Sequence, residues 1–172
     1  MPNWNYLASE VFRVRSVIAA HYLRGCRHVI EIGGYKTPID QFLTHDCESV
    51  TVVDPLVEPF ASGSVKRVAA DYRAFDFSFA PAGEYGLVML GFDLPLSDNL
   101  FRLVDGSRTT IIEFPEHPDW MQSRHSFDTL LENTHLTLQV KMHLDLAGND
   151  YGDLTDSWPP RTDRYLFVFG RC

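Results

Sequence analysis

The chain has 172 residues, 45 % of them hydrophobic, and a formal charge of −8. That length fits one domain with a real core, and the apolar content is too high for a disordered chain. The acidic balance, with no run of Lys or Arg, argues against a nucleic acid or an anionic membrane surface as partner.

Three cysteines, Cys26, Cys47 and Cys172, are widely spaced, with no C-x-x-C pair. Neither a zinc knuckle nor a disulfide framework is expected, and a reducing cytoplasm fits. Glu10, Arg13 and Arg15 interrupt the apolar stretch that a leader would need. No apolar run approaches the length of a membrane span.

Residues 5–24 read as a helix. Leu7, Val11, Val14, Ile18 and Tyr22 recur at spacings of four and three as one apolar stripe, and Gly25 ends it. His28-Val29-Ile30-Glu31-Ile32 follows as a buried strand running into the turn Gly33-Gly34. Thr37 suits a helix N-cap, Pro38 the first helical position and Asp40 the first turn, predicting a short helix that ends near Thr44.

Residues 49–55 read as a second strand ended by Pro55, 65–71 as a third and 85–91 as a fourth. A short helical segment near 99–104 leads to a fifth strand at 109–114, and a helix is expected around 120–132. Residues 136–144 then alternate apolar and polar, as a strand with one covered face does. Residues 147–164 read as a long polar loop, and Tyr165-Leu166-Phe167-Val168-Phe169 closes the chain as the last strand.

The unbroken apolar runs of the first five strands suit a parallel sheet buried on both faces. Helical segments between them predict an α/β, doubly wound sheet, closed by an antiparallel C-terminal hairpin. The expected organisation is one domain over 1–172: an N-terminal helix at 1–26, a core at 27–114, and a helix with the hairpin at 115–172.

In an open α/β sheet the ligand sits beyond the carboxyl ends of the strands, at the switch point. Gly33 and Gly34 let backbone approach a ligand there, and the helix beginning at Thr37 would aim free N–H groups at the same place. Asp54 ends the second strand 21 residues after Gly33. That is where a carboxylate grips the two hydroxyls of a ribose. Asp71 ends the third strand, where it could face an adenine amino group; Asp76 lies close by and competes for the role. G-x-G-x-x-G would need glycines at Tyr35 and Pro38, and Lys36-Thr37 lacks the preceding glycine of a P-loop.

The pattern resembles the class I S-adenosylmethionine-dependent methyltransferases. Glu31-Ile32-Gly33 is similar to the start of that family's E-x-G-x-G motif, and Val52-Val53-Asp54 to the acidic end of its second strand. Ala70-Asp71 is similar to the acid that meets the adenine, and Leu87-Val88-Met89-Leu90-Gly91 to its fourth strand. The terminal hairpin matches its last two strands. The family's second glycine is replaced by Tyr35, which would crowd or line the methionine end of the cofactor.

The resemblance implies a Rossmann-like methyltransferase fold with S-adenosylmethionine as cofactor. It implies Glu31, Gly33, Gly34, Tyr35, Asp54, Asp71, Tyr72 and Gly91 as cofactor contacts, and Asp93 and His117 as catalytic candidates. Glu113, Glu116 and His125 are further residues on the acceptor side. A pair of Asp93 with Glu113 or Glu116 would suit Mg²⁺, but strand-end acids are common and no metal is expected. No Asn-Pro-Pro-Tyr-like motif follows the fourth strand, which disfavours amino-group methylation of adenine or glutamine, and no Pro-Cys pair stands ready for a pyrimidine ring.

Methyl transfer to a small-molecule acceptor is the expected function. The acceptor pocket would come from the N-terminal helix, the loops after strands four and five, or a second subunit of a homo-oligomer. A non-catalytic binding or assembly module is the second reading. An enzyme of another class with a different nucleotide ligand is the third, since Lys36 would suit a phosphate.

Overall fold

A computed structural model of the protein describes residues 10–115, 121–145 and 163–170. Its strands are β1 (His28–Ile32), β2 (Ser49–Val53), β3 (Phe60–Ser62), β4 (Val65–Val68), β5 (Tyr85–Leu90), β6 (Thr109–Pro115), β7 (Thr137–Asp145) and β8 (Asp163–Gly170). The helices are α1 (Glu10–Tyr22), α2 (Asp98–Gly106) and α3 (Met121–Glu132). The strands form one sheet in the order β3-β4-β2-β1-β5-β6-β8-β7. From β4 to β6 the pairing is parallel. β8 runs antiparallel to both β6 and β7. This is the expected doubly wound, mostly parallel sheet with a terminal antiparallel hairpin.

Side-chain alternation divides the core in two. Ile30, Leu87, Ile112 and Phe167 face α2 and α3, where they meet Leu100, Phe127 and Leu130. Val29, Val88, Ile111 and Val168 face the other way, toward Ala19, Ala20 and Leu23 of α1. Both faces of β1, β2 and β5 are covered, which is why these strands carry continuous apolar runs.

The helical layer is thinner than expected. Where a helix was predicted over residues 37–44, the chain makes only a 3-10 turn, Ile39–Gln41. Pro38 sits before this turn in an extended conformation (φ −55°, ψ 138°), with no side-chain cap. A bidentate pair from Arg67 to Asp40, at 3.0 and 2.6 Å, holds the turn against β4. The route from β2 to β4 contains β3, a short antiparallel edge strand absent from the sequence reading. Its signal was the two-residue Gly63-Ser64 link between Phe60-Ala61-Ser62 and the next β-branched run. β4 stops at Val68, three residues before the predicted end of that strand.

The predicted stripe on α1 is also corrected. Val14 is 47 % exposed and Val17 57 % exposed, while Arg15, Ser16, Ala19, Ala20 and Leu23 are buried. Two alanines allow the helix to approach the sheet closely, and Arg15 is turned inward by a charged partner on β6. Leu7 lies outside the described residues. Arg164, expected in the long loop, lies in β8 and is buried. Most of that loop, residues 147–162, is outside the described residues. Among the described residues no helix is long and apolar enough to cross a membrane.

Leu23 touches Cys26 and the face of β5 at Gly86, where an added Cβ would strike its side chain. Leu23→Ala should lower unfolding free energy by about 2–5 kcal/mol through cavity formation. Val17→Ala should cost less than about 0.5 kcal/mol. Urea denaturation of the two variants measures both, and equal losses would mean that the helix is rotated otherwise.

Candidate functional site

The carboxyl ends of β1, β2 and β5 open onto one cleft of about 250 Å³. Gly33, Gly34, Tyr35 and Lys36 line it after β1, and Asp54 and Leu56 after β2. Leu90, Gly91, Asp93 and Leu94 line it after β5, with Arg15 and Arg164 contributing from α1 and β8. This is the switch point of the sheet: β1 is followed outward by β2 on one side and by β5 on the other.

The glycine turn is shaped by Glu31. Gly33 and Gly34 have φ of +88° and +116°, a region L side chains avoid. A Cβ on Gly34 would also run into the Glu31 carboxylate. Glu31 is buried, and its Oε2 accepts a hydrogen bond from the Ile39 amide at 2.7 Å. Burial raises its pKa to about 8, against the lowering effect of that hydrogen bond. Glu31 does not line the cleft: it lies under the turn and holds it to the 3-10 segment. The free N–H groups expected of a helix at Thr37 are therefore replaced by one turn whose first amide is already taken.

Asp54 is half-buried at the end of β2. Its Oδ1 accepts from the Leu56 amide at 2.7 Å. Burial pushes its pKa up, opposed by amide hydrogen bonds from Leu56, Val57 and Tyr35. The Tyr35 ring lines the cleft with the Lys36 ammonium 4.6 Å from its centre.

Asp71 and Tyr72 stand apart from this cleft. The Asp71 carboxylate is clasped by Arg73, with Nε 3.0 Å from each oxygen, and its pKa is held down to about 2 by that partner. Tyr72 is buried, and its hydroxyl donates to the Pro95 carbonyl. Asp76 instead accepts from the amide and hydroxyl of Ser78.

On the acceptor side, Asp93 is exposed at the rim. His125 is exposed on α3 and does not line the cleft. His117 and Glu116 lie outside the described residues. Glu113 is corrected from an acceptor-side acid to an internal counterion. It is fully buried, and its Oε2 accepts from Arg15 Nη1 and from the Gly91 amide, each at 2.8 Å. Arg164 Nε donates to Oε1, and Arg164 Nη2 to Oε2 at 3.2 Å. Burial opposes ionisation of Glu113, but the two guanidiniums outweigh it and hold the pKa below its usual value. With both oxygens occupied by donors, this carboxylate is not offered to a cation.

Arg15 and Arg164 were missed by the sequence reading. Arg15 shares a helix face with Ala19 and Leu23, at spacings of four, and that alternative stripe was its signal. An acid inside Ile111-Ile112-Glu113-Phe114 also announces a buried cationic partner. Arg164, beside the polar loop, carried no such mark.

No family model matches the sequence, and no curated protein does. Solved structures do match. The N-methyltransferase NodS from Bradyrhizobium japonicum WM9 superposes with a TM-score of 0.64 at 14 % identity, over 96 % of this chain and 98 % of that one. Its complex with S-adenosyl-L-homocysteine gives 0.63 at 13 % identity, over 98 % and 91 %. The 1,6-didemethyltoxoflavin-N1-methyltransferase of Burkholderia thailandensis, with 1,6-didemethyltoxoflavin and S-adenosylhomocysteine bound, gives 0.64 at 18 % identity, over 98 % and 81 %. The protein has the fold of the class I S-adenosylmethionine-dependent methyltransferases.

Glu31 yields a pH prediction. Its folded-state pKa near 8 exceeds the ordinary value of 4.5, so the folded protein keeps a proton that the unfolded chain releases. The stability from this group is complete below pH 4.5 and falls as pH rises toward 8. Glu31→Gln keeps a carbonyl for Ile39 and does not titrate. Urea midpoints at pH 5 and pH 8 should differ less in the variant than in the wild type; an unchanged difference would mean that Glu31 is ionised throughout.

Proposed function

We propose that the protein transfers a methyl group from S-adenosylmethionine to a small-molecule acceptor. The observation that carries this reading is one cleft bringing together Gly33, Gly34, Asp54 and Gly91 at the switch point of a methyltransferase fold. The residues suit the cofactor. Asp54 offers a half-buried carboxylate to a ribose diol, and Gly33 and Gly34 leave backbone accessible beside it. Tyr35 lines the wall with its ring under Lys36, so the departure from the family's second glycine replaces a gap with an aromatic surface. Two structural neighbours carrying the demethylated cofactor support the assignment.

The cofactor, when bound, supplies an electrophilic methyl on a sulfonium. Such chemistry would ask of the chain only that it align the acceptor's lone pair with that carbon and take up the acceptor's proton where there is one. The chain's part is positioning. Leu90 and Leu94 give the cleft apolar walls, and Asp93 at its rim is the candidate to accept the acceptor's proton.

The clasp of Arg73 on Asp71, with Tyr72 turned away, favours a second reading, a binding module without turnover. Calorimetric titration with S-adenosylhomocysteine tests the cofactor in both. Wild type should bind in the micromolar range, about −8 kcal/mol. Asp54→Ala should weaken binding by roughly tenfold or more through loss of charge-assisted hydrogen bonds. No heat with wild type would refute cofactor binding, and binding without methyl transfer across an acceptor panel would favour the module.

A further inference from the structure

We propose that Lys36, carried over the cleft on the ring of Tyr35, is the cation that grips the carboxylate of the donor's amino-acid tail, and so sets the preference of the cleft for a nucleoside bearing that tail. The inference deepens the methyl-transfer reading above and rests on it.

The local chain places the ammonium. The Tyr35 amide donates to the Asp54 carboxylate, and Thr37 is buried. Lys36 stands between these two anchored residues, with its side chain exposed and lining the cleft. In the sheet β1 lies between β2 and β5. The loop after β1 therefore separates Asp54, the ribose seat, from Gly91, near which the sulfur falls when the ribose is on Asp54. A tail turning back from the sulfur over β1 meets this loop.

The charges of the cleft leave the role to Lys36. Arg15, Lys36 and Arg164 are the cationic side chains among its described lining. The two guanidiniums are buried and turned to Glu113. Among the described residues Lys36 pairs with no carboxylate, and its ammonium rests 4.6 Å from the centre of the Tyr35 ring. A cation over an aromatic face is attracted to it, but less strongly than to a carboxylate that it can hydrogen-bond. The ring thus collects the flexible lysine stem without competing for its charge. Part of the entropy that a lysine loses on gripping a ligand is then lost beforehand.

The donor's tail supplies the matching group. Its α-carboxylate is ionised at neutral pH. An ammonium presents three donors on a stem that can follow such a group into place. Tyr35 stands where the E-x-G-x-G pattern has its second glycine. A glycine offers bare backbone at that point; Tyr35 and Lys36 offer a wall and a charge.

The test is calorimetric titration of the full chain with S-adenosylhomocysteine and with 5′-methylthioadenosine, which lacks the amino-acid portion. Both have an uncharged sulfur, so the tail is the difference between them. Wild type should prefer S-adenosylhomocysteine. Lys36→Met keeps the stem and removes the charge. It should weaken S-adenosylhomocysteine by roughly tenfold, the worth of one charge-assisted hydrogen bond, and leave 5′-methylthioadenosine within about twofold. Lys36→Arg should recover most of the loss, since it restores a cation on a long stem. Tyr35→Leu should cost S-adenosylhomocysteine more than 5′-methylthioadenosine, because the stem is no longer held. The preference of wild type should shrink as salt rises from about 0.05 M to about 0.5 M, and that of Lys36→Met should not.

A Lys36→Met variant that weakens both nucleosides alike, or neither, would overturn the inference while the cofactor reading stands. ATP bound more tightly than S-adenosylhomocysteine by wild type, and lost in Lys36→Met, would give the ammonium to a phosphate and overturn it as well. Wild type binding neither S-adenosylhomocysteine nor 5′-methylthioadenosine would remove the methyl-transfer reading and this inference together.

Discussion

A carboxylate in the dry interior of a sheet must be met by positive charge, and Glu113 meets this condition twice. Its oxygens draw Arg15 from the first helix and Arg164 from the last strand, and accept the Gly91 amide from the end of β5. Three distant parts of the chain converge on one side chain. Removing one member of such a buried pair typically costs about 3–5 kcal/mol, because a charge is left without its counterion. The rotation of α1, the path of the chain after β5 and the first residues of β8 all follow from this requirement. The convergence occurs at the rim of the cleft, so what stabilises the fold also shapes the floor of the site.

A second buried carboxylate does comparable work on the other side of the cleft. Among the described residues Glu31 accepts one hydrogen bond, from the Ile39 amide, and it lies beneath Gly34. Burial raises its pKa, whereas the two arginines lower that of Glu113. The two acids thus meet the cost of burial differently, one by holding its proton and one by pairing. Glu31 also explains how the β1–β2 connection keeps its shape with a single 3-10 turn where a longer helix would ordinarily close the loop.

Much of this was legible in the residues alone. The apolar runs of β1, β2, β5 and β6 announced a parallel sheet, and the change to alternation at residue 136 announced the hairpin. Gly33, Gly34 and Asp54 were placed in one cleft by their spacing. The failures share a cause, which is that tertiary partners overrode local pattern. Thr37-Pro38-Ile39-Asp40 has the composition of a helix start, but the Ile39 amide bonds Glu31 and Asp40 bonds Arg67. The α1 stripe was chosen by hydrophobicity, while the buried face includes an arginine that pairs with a distant glutamate. Asp71 was expected at a strand end but lies three residues past the end of β4, and its neighbour Arg73 has the carboxylate in hand, a contact that spacing alone does not reveal.

The central claim is that the cleft between β2 and β5 holds a nucleoside with its ribose on Asp54. Crystallising the protein with S-adenosylhomocysteine tests this most directly. The account predicts ribose hydroxyls within hydrogen-bond distance of the Asp54 carboxylate and the sulfur above Gly91, with Tyr35 along the wall. Ligand density elsewhere on the molecule, or a Tyr35 ring occupying the space between Gly33 and Asp54, would contradict it.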